Sequence, residues 1–506
     1  MRALVGVDIG TQGTKAAVFD ERGRCLAQSF EASKLHRPAP GAVEEDPERQ
    51  FGSVCRTIRR CVREAKLAGG DVAAIGLDGQ MAGIIGIGRD GRAVTPYDSW
   101  LDTRCARQIH QMQEAAGAEI LRKTGNAPSF NHGPKKIWWM QTRAKDFRRI
   151  AAFVQPGGYA AMRLCGLPAA DAFIDHTYLH FSGFADNPAG RWDESLVARF
   201  GFDGEKLPRI VAPEQVVGEL TRPAATACAL KPGIPVVAGC GDTAASFLAC
   251  GASRVGVCVD VAGTASVFAA TTAEFRPDVA AGTLGCGRSA VPGLWHPYAY
   301  INGGGMTLEW FRKMLVAGGR GKSPEFAELD RAAAAIEPDP SLPMCVPHFA
   351  GRVCPAAPDL HGAWVGLSWD TTSGQLYRAI LESIALEYAI YRRVLLGLYD
   401  RGAMRELRVT GGGERSQTWN QIKADALQTP VTRIAQSEGA PRGVAMIAGV
   451  GTGVLRDLPA AARQWVAVGR TLRPNRRRAG YYEGRRRAYE SLLARLDDVA
   501  VVFRTA

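Results

Sequence analysis

The first twenty residues alternate between apolar runs and a short polar turn, as a β-hairpin does. Residues 3–9 are largely apolar and carry Asp8 near their end, residues 10–14 are glycine- and threonine-rich, and residues 15–19 are largely apolar again. Turn-forming residues 20–23 close the second run. The pattern predicts two strands joined by a turn that begins just after Asp8.

A related pattern returns near the middle of the chain. Residues 255–261 are a β-branched run that carries Asp260, Gly263 and Thr264 follow it, and residues 266–270 form the next apolar run. The order of strand, acid, Gly-Thr turn and strand therefore occurs twice, about 250 residues apart.

The spacing of the two hairpins agrees with the length of the chain. Because 506 residues exceed what one hydrophobic core normally serves, we expect two domains. We place the junction just after the glycine-rich residues 239–242, which divides the chain into residues 1–250 and 251–506.

Helical periodicity occupies the stretches between the hairpins. Apolar residues at positions 51, 54, 58 and 62 predict a helix over residues 48–68, and residues 73–77 read as a short strand. Further helices are expected over residues 374–399 and 419–427. Strands and helices alternate, so the fold class is α/β.

The composition is that of an ordinary globular protein, with 46% hydrophobic and 22% charged residues. Asp8 interrupts what would be the core of a signal peptide, and no uncharged apolar run reaches the roughly 18 residues of a membrane span. The twelve cysteines include no CxxC pair, which argues against a structural zinc site and a disulfide scaffold. We expect a cytoplasmic protein without a membrane partner. Its oligomeric state stays open, a homodimer included.

The net charge of +12 raises the question of a polyanionic partner. Half of that charge lies in residues 473–487, which carry seven arginines against one glutamate. Tyr489, Leu492, Leu493 and Leu496 follow at helical spacing, so we interpret the segment as the solvated approach to a terminal helix. No nucleic-acid fold signature accompanies it, and we expect no nucleic-acid partner.

The turn after Asp8 has the groups that phosphate binding requires. Its glycines allow close approach to the backbone, its threonines and Lys15 can donate hydrogen bonds, and Asp8 can hold a hydrated Mg²⁺. A hairpin turn without function is the alternative reading. A P-loop does not explain the phosphate-binding groups. The tail of a Walker A motif is present at Gly321-Lys322-Ser323, but Val316 occupies the position of its first glycine.

Two more glycine-rich turns follow predicted strands. Gly411, Gly412 and Gly413 would let a flat group such as adenine lie against the backbone, although a tight turn explains them equally well. Asp242 ends a strand within a Gly-x-Gly-Asp sequence. A carboxylate there can reach a cleft, or it can cap a helix.

Five segments together resemble the FGGY carbohydrate kinases, a family within the actin/hexokinase/Hsp70 superfamily. In family order they are residues 8–15, 133–139, 260–266, 362–382 and 439–445. The first and third are similar to the two phosphate-binding segments of the superfamily, the second and fourth to the two family signatures, and the fifth to the helix start beside the adenosine. Within the family, the chain is most similar to the xylulose kinases.

The resemblance implies two ribonuclease-H-like domains with ATP, Mg²⁺ and a small-molecule sugar or polyol in the cleft between them. Asp242 would be the catalytic base and would hold magnesium together with Asp8. The residues expected to contact phosphate are Thr11, Gln12, Gly13, Thr14, Lys15, Gly263 and Thr264. Those expected to border adenosine are Gly411, Gly412, Gly413 and Ser416. Those expected to bind sugar, with Asp242, are Gln80, Met81, Ala82, Trp100, Asp102 and Arg104.

Two positions depart from the pattern of the xylulose kinases. Those enzymes have histidine where this chain has Ala82, and asparagine where it has Thr243. D-Xylulose is nevertheless the best expectation, with ribulose, gluconate and four-carbon polyols as alternatives. An actin- or Hsp70-like nucleotide switch is a further alternative, which Asp242 and the sugar segments disfavour. Without the resemblance, Gln80, Asp102 and Arg104 would be expected at the surface.

Overall fold

The computed structural model describes residues 2–315, 323–435 and 438–504, the last five by backbone only. Most of the Walker-like segment, including Val316, Gly321 and Lys322, lies outside these residues. Two seven-stranded sheets dominate the architecture, and each is built around one of the predicted hairpins.

The first sheet contains the N-terminal hairpin, whose strands pair in antiparallel register from Leu4–Phe19 to Ile9–Thr14. In spatial order its strands are Val216–Glu219, Pro235–Val237, Val72–Gly79, Ala3–Ile9, Gly13–Phe19 and Cys25–Ala32, with Cys240–Gly241 also paired to Val72–Gly79. The three strands from Ala3 to Ala32 are antiparallel, whereas Val72–Gly79 and Pro235–Val237 add parallel neighbours.

The second sheet repeats this topology. Its strands are, in spatial order, Gly285–Arg288, Trp295–Ile301, Ser266–Ala269, Val257–Ala262, Glu406–Thr410, Val431–Ile434 and Val468–Leu472. Four antiparallel strands, from Gly285–Arg288 to Val257–Ala262, are here followed by two parallel ones, where the first sheet has three antiparallel strands. The repetition is the one expected of a duplicated α/β fold.

Among the described residues, four smaller sheets accompany the two large ones, three in the first half of the chain and one in the second. A four-stranded sheet consists of Glu44–Glu45, Ala93–Asp98, Ile84–Ile87 and Ala152–Val154. Three two-stranded pairs are Ala185–Asp186 with Arg191–Trp192, Phe173–Asp175 with Arg209–Val211, and Met344–Val346 with Ala363–Val365.

Helices flank the sheets. The longer ones are Pro47–Glu64, Ala106–Thr124, His132–Thr142, Pro156–Cys165, Asp242–Ala249, Gly304–Met314, Phe326–Ala334, Ser373–Leu398, Gln417–Leu427, Ala440–Gly451, Leu458–Trp465 and Ala479–Arg504. The helix expected over residues 48–68 ends at Glu64, because Lys66 adopts a left-handed backbone conformation with φ of 54°. Among the described residues, no helix is both long enough and apolar enough to cross a membrane.

Helix Ala440–Gly451 comes from the second half of the chain but packs on the first sheet and against helix Asp242–Ala249. The contact is backbone to backbone: a β-carbon at Gly443 would lie 2.0 Å from the Ala245 carbonyl oxygen, and one at Gly6 would lie 1.9 Å from that of Pro441. The domain boundary at residue 250 therefore stays a prediction. In the structure, a helix from the second half of the chain packs against the first half.

The basic segment, which leads into and begins the terminal helix, is exposed to solvent only in part. Arg477 and Arg487 are exposed, but Arg485 is buried and donates to the carbonyl oxygens of Leu342 and Pro343. A solvated face was thus the wrong interpretation for Arg485, since its guanidinium satisfies buried carbonyl groups.

Candidate active site

Three carboxylates converge at one edge of the first sheet. Asp8 and Asp78 are register partners on adjacent parallel strands, and strand Cys240–Gly241 pairs beside them with Cys240 opposite Asp78. Asp242 follows that strand directly and is the first residue of helix Asp242–Ala249. Because the carboxyl ends of parallel strands meet at one edge, the topology alone brings the three acids together.

This cluster of Asp8, Asp78 and Asp242 is electrostatically strained. Burial, followed by the charges of Asp8 and Asp242, raises the pKa of Asp78 well above its usual range. Burial and the charge of Asp8 raise the pKa of Asp242 to about 7. Burial likewise raises the pKa of Asp8, and the charge of Lys15 opposes it. A group at this edge that supplies positive charge would stabilise the ionised acids.

A cavity of about 270 Å³ opens beside Asp242. Three connected side chains form its polar wall. Trp100 Nε1 donates to Thr11 Oγ1 at 2.8 Å, and the Thr11 hydroxyl lies 3.4 Å from Gln80 Oε1. The other lining residues include Met81, Ala82, Thr177, His180, Phe181, Thr243, Phe247, Val267, His296, Tyr298 and Tyr300. We call this the acceptor cavity.

A second cavity, of about 350 Å³, lies beside the glycine turn of the second sheet. It is bounded by Gly411 and Gly412 on one side and by Gly439, at the start of helix Ala440–Gly451, on the other. Lys15 also lines it and donates to the carbonyl oxygen of Glu438 at 2.7 Å. We call this the glycine-turn cavity.

Helix Asp242–Ala249 connects the two cavities. Asp242, Thr243 and Phe247 line the acceptor cavity, whereas Ser246 lines the glycine-turn cavity, as does Cys250 just beyond the helix. A ligand in one cavity is therefore separated from a ligand in the other by a single helix whose N-terminus carries Asp242.

The residues predicted to contact phosphate are not all brought to these cavities. Thr11 lines the acceptor cavity and Lys15 the glycine-turn cavity. The buried Thr14 hydroxyl, however, shares a hydrogen bond of 2.5 Å with Ser53 Oγ, so the expected contact through its side chain would require breaking that bond. Gln12 is exposed and Gly13 is a buried strand residue, and neither lines either cavity.

Gly263 and Thr264 form the turn of the second hairpin and lie outside the lining of both cavities. Their carbonyl oxygens accept from the N–H groups of Gly305 and Met306 at 3.0 and 3.1 Å. The turn is thereby fastened to the first turn of helix Gly304–Met314.

Among the residues predicted to bind sugar, Gln80, Met81, Ala82 and Trp100 line the acceptor cavity. Asp102 and Arg104 do not. The Arg104 guanidinium makes ion pairs of 2.8 Å with Glu44, Asp98 and Asp102, and Asp102 also accepts from the Val43 N–H. These ion pairs tie the segment that follows Trp100 to strands Glu44–Glu45 and Ala93–Asp98. The surface position expected for Gln80 and Asp102 from sequence alone is wrong, because both are buried.

Of the four residues predicted to border adenosine, Gly411 and Gly412 line the glycine-turn cavity and Gly413 and Ser416 do not. A β-carbon at Gly413 would lie 2.6 Å from Ala262 Cβ and 2.7 Å from the Trp419 ring, so this glycine is required by packing. Ser416 caps helix Gln417–Leu427 by accepting from the Trp419 N–H at 3.0 Å.

Sequence reasoning missed Asp78. The signal was present, since Asp78 interrupts the apolar strand Val72–Gly79 just as Asp8 interrupts its neighbour. It also missed the aromatic wall of Phe181, Tyr298 and Tyr300. No local pattern marks those rings, which meet only because the strand Trp295–Ile301 reaches the acceptor cavity from the second sheet.

Comparisons with known proteins agree with this architecture. Residues 3–249 match the N-terminal domain of the FGGY family of carbohydrate kinases, and residues 258–452 match its C-terminal domain. The chain is 30% identical to the xylulose kinase of Streptomyces rubiginosus over 91% of its length and 90% of that protein. It is 28% identical to the glycerol kinase of Leptothrix cholodnii, covering 92% and 94% of the two chains. The crystal structure of xylulose kinase from Rhodospirillum rubrum superposes with a TM-score of 0.90, at 28% identity over 99% of this chain and 100% of that one.

Proposed function

The chain belongs to the FGGY family of carbohydrate kinases, and from this premise we propose that it transfers the γ-phosphoryl group of ATP to a pentulose, with D-xylulose 5-phosphate as the best-supported product. The xylulose kinases among its relatives support this choice of acceptor. The two-domain α/β fold of a sugar kinase is shared with solved structures of the family.

The observation that carries the proposal is the position of Asp242. Of the described residues that line the acceptor cavity, Asp242 is the one with a carboxylate. It is also the first residue of the helix whose other face borders the glycine-turn cavity. Its pKa, raised by burial and by Asp8 to about 7, suits a group that must take up a proton near neutral pH.

The acceptor hydroxyl attacks the γ-phosphorus as the bond between that phosphorus and the bridging oxygen of ADP breaks. Asp242 accepts the proton of the hydroxyl. The transition state involves little covalent assistance from protein groups, so the rate depends on holding the two oxygens in line. Thr11, Gln80 and Trp100 form a hydrogen-bonded wall that positions the acceptor against Asp242.

ATP is assigned to the glycine-turn cavity and the adjoining turns. Gly412 presents bare backbone on one side, with no protein atom closer than 4.0 Å to the position of an added β-carbon. Lys15 lies on the same cavity and offers an ammonium group to the phosphates. Closure of the two halves would exclude water, which limits loss of ATP to hydrolysis.

The cluster of Asp8, Asp78 and Asp242 fits Mg²⁺. Asp8 Oδ1 and both carboxylate oxygens of Asp78 are buried and have no hydrogen-bond partner among the described residues. Among the described residues, no group of three acidic, histidine or cysteine side chains is arranged to hold a metal ion by itself. This agrees with Mg²⁺, which proteins bind through one or two carboxylates together with water and substrate phosphates. Asp8 and Asp242 would hold the ion, which neutralises charge on the transferring phosphoryl group.

ADP release measured with a panel of acceptors tests the proposal. The panel contains D-xylulose, D-ribulose, gluconate and erythritol, each with ATP and MgCl₂. We expect the highest kcat/KM with D-xylulose. A better rate with erythritol would move the assignment towards the polyol kinases, and ADP release without any acceptor would favour a nucleotide switch. Cytoplasmic location and the absence of a nucleic-acid partner stay predictions.

A further inference from the structure

His180 stands in the wall of the acceptor cavity, a position that neither the phosphate segments nor the sugar segments of the sequence indicate. It belongs to the short 3₁₀ helix His176–Phe181, which follows strand Phe173–Asp175. Its relative exposure is 5%, and it lines the same cavity as Asp242, Gln80 and Ala82. A buried imidazole is thus part of the surface that an acceptor would touch.

Neighbours from both halves of the chain hold the ring in place. The ring centroid lies 4.2 Å from that of Phe181 and 5.5 Å from that of Tyr298. On its other side is Gly287, where a β-carbon would lie 3.0 Å from His180 Cε1. Because Gly287 and Tyr298 belong to the second sheet, His180 lies where the two halves meet around the cavity.

Two other buried histidines of the protein each place one ring nitrogen against a backbone carbonyl oxygen. His132 Nε2 lies 2.6 Å from the Met81 carbonyl oxygen, and His296 Nδ1 lies 3.1 Å from that of Ala270. His180 Nδ1 is buried and has no hydrogen-bond partner among the residues that the structure describes; His132 Nδ1 shares this property, but His132 does not line the acceptor cavity. An unpaired buried polar atom costs about 1–3 kcal/mol, so its retention beside a ligand cavity calls for a partner.

We propose that His180 is a specificity-determining residue, whose imidazole hydrogen-bonds a hydroxyl or carbonyl oxygen of the acceptor away from the reacting hydroxyl. The inference rests on the proposed function of the acceptor cavity. It gives the substrate class more closely: a polyhydroxylated ketose with an oxygen at the far end from Asp242. Burial lowers the pKa of His180 to about 3, so the ring is neutral at physiological pH and offers one donor and one acceptor.

Ala82 lines the same cavity but has no polar side chain, so it cannot make this contact. His180 presents its imidazole to that cavity from a different element, the short 3₁₀ helix. The acceptor is then recognised from the 3₁₀ helix rather than from the loop after Gln80.

The test compares His180→Leu, which removes both nitrogens, with His180→Asn, whose amide can reach the place of Nδ1. The probe is D-xylulose, or the best-turned-over ketose of the panel if that is another. We expect His180→Leu to lower kcat/KM for the ketose by roughly 5- to 100-fold, with the KM for ATP nearly unchanged. His180→Asn should recover most of the loss, and the exposed His110→Leu should behave as wild type.

Acceptor analogues that each lack a different oxygen identify which oxygen His180 contacts. For the analogue without the contacted oxygen, such as 1-deoxy-D-xylulose, wild type and His180→Leu should have the same kcat/KM, because neither can form the bond. Equal losses for every analogue, or an equal change in the KM for ATP, would overturn the proposal in favour of a structural role. Should His180→Leu not fold, His180→Gln replaces it, since its longer amide misplaces the polar atoms. A wild type inactive on every ketose would instead reject the proposed function.

Discussion

Asp8 and Asp78 stand opposite each other on adjacent parallel strands, and both carry buried carboxylate oxygens without a hydrogen-bond partner among the described residues. Two acids so placed repel each other when both are ionised, which is why the pKa of Asp78 is raised by burial and by the charge of Asp8. The repulsion between Asp8 and Asp78 destabilises the site without a cation and therefore favours cation binding.

Removing the charge of Asp78 tests this relationship. In Asp78→Asn an amide replaces one carboxylate and can donate to Asp8, so we expect the free energy of unfolding in EDTA to rise by about 1 kcal/mol. Urea unfolding with and without MgCl₂ measures it. Wild type should gain more stability from Mg²⁺ than the variant does. A variant less stable than wild type in EDTA would show that the Asp78 carboxylate already has a stabilising partner.

Asp242→Asn should retain the fold and ATP binding but lose turnover by on the order of 10²–10⁴-fold, as removal of a general base usually does. The measurements are ADP release and calorimetric titration with ATP. Asp90→Asn, which changes an exposed turn carboxylate in the same way, serves as the control. Activity within a few-fold of wild type would remove Asp242 from the role of base.

Gly412, which lines the glycine-turn cavity, and its neighbour Gly413, which does not, should respond differently to valine. Gly412 has open space at the position of a β-carbon, so Gly412→Val should fold normally and raise the KM for ATP much more than the KM for the sugar. Gly413→Val meets Ala262 and Trp419 and should instead lower the melting temperature. Equal effects of Gly412→Val on both KM values would place the adenosine elsewhere.

Substitutions at the two departures from the xylulose kinases should change acceptor preference. Ala82 and Thr243 line the acceptor cavity, and neither side chain offers a ring nitrogen or an amide. A missing hydrogen bond of about 0.5–1.5 kcal/mol predicts a D-xylulose preference weaker by roughly three- to tenfold. Ala82→His, with Thr243→Asn if needed, should raise the ratio of kcat/KM for D-xylulose to that for D-ribulose. A lowered ratio would mean that other side chains read the sugar.

Acid should weaken the second half through Glu387. This buried carboxylate contacts His348 at 2.8 Å, Arg352 at 3.1 Å and the Tyr489 hydroxyl of the terminal helix at 2.9 Å. Burial alone would raise the pKa of Glu387, but the charges of His348 and Arg352 and the bond from Tyr489 outweigh it and lower the pKa to about 2.

Because the folded-state pKa of Glu387 is depressed, its contribution is complete above the unfolded value of 4.5 and is lost as the pH falls towards about 2. The contribution is at most roughly 3 kcal/mol. Urea unfolding between pH 7 and pH 3 should show a steeper decline for wild type than for Glu387→Gln, with the exposed Glu114→Gln as control. Parallel declines in all three proteins would exclude this network as a source of acid sensitivity.

The sequence by itself determined the strands, the two hairpins and the α/β class, because alternating apolar residues and glycine turns act locally. Strands predicted at residues 3–9 and 73–77 are observed as Ala3–Ile9 and Val72–Gly79. Asp8, Asp242 and the glycine turn at Gly411 were marked by their places at strand ends, but turns and helix caps explained them equally well until the family resemblance assigned their roles.

Only the tertiary structure decided which polar residues face the cavities. Arg104 and Asp102 were indistinguishable in sequence from sugar-binding residues, yet they pair with each other and do not line the acceptor cavity. The role of Asp78 depends on its register with Asp8, and that of His180 depends on the second-sheet residues that enclose it. The physical reason is that burial and hydrogen-bond partners come from residues distant along the chain, and no local pattern specifies them.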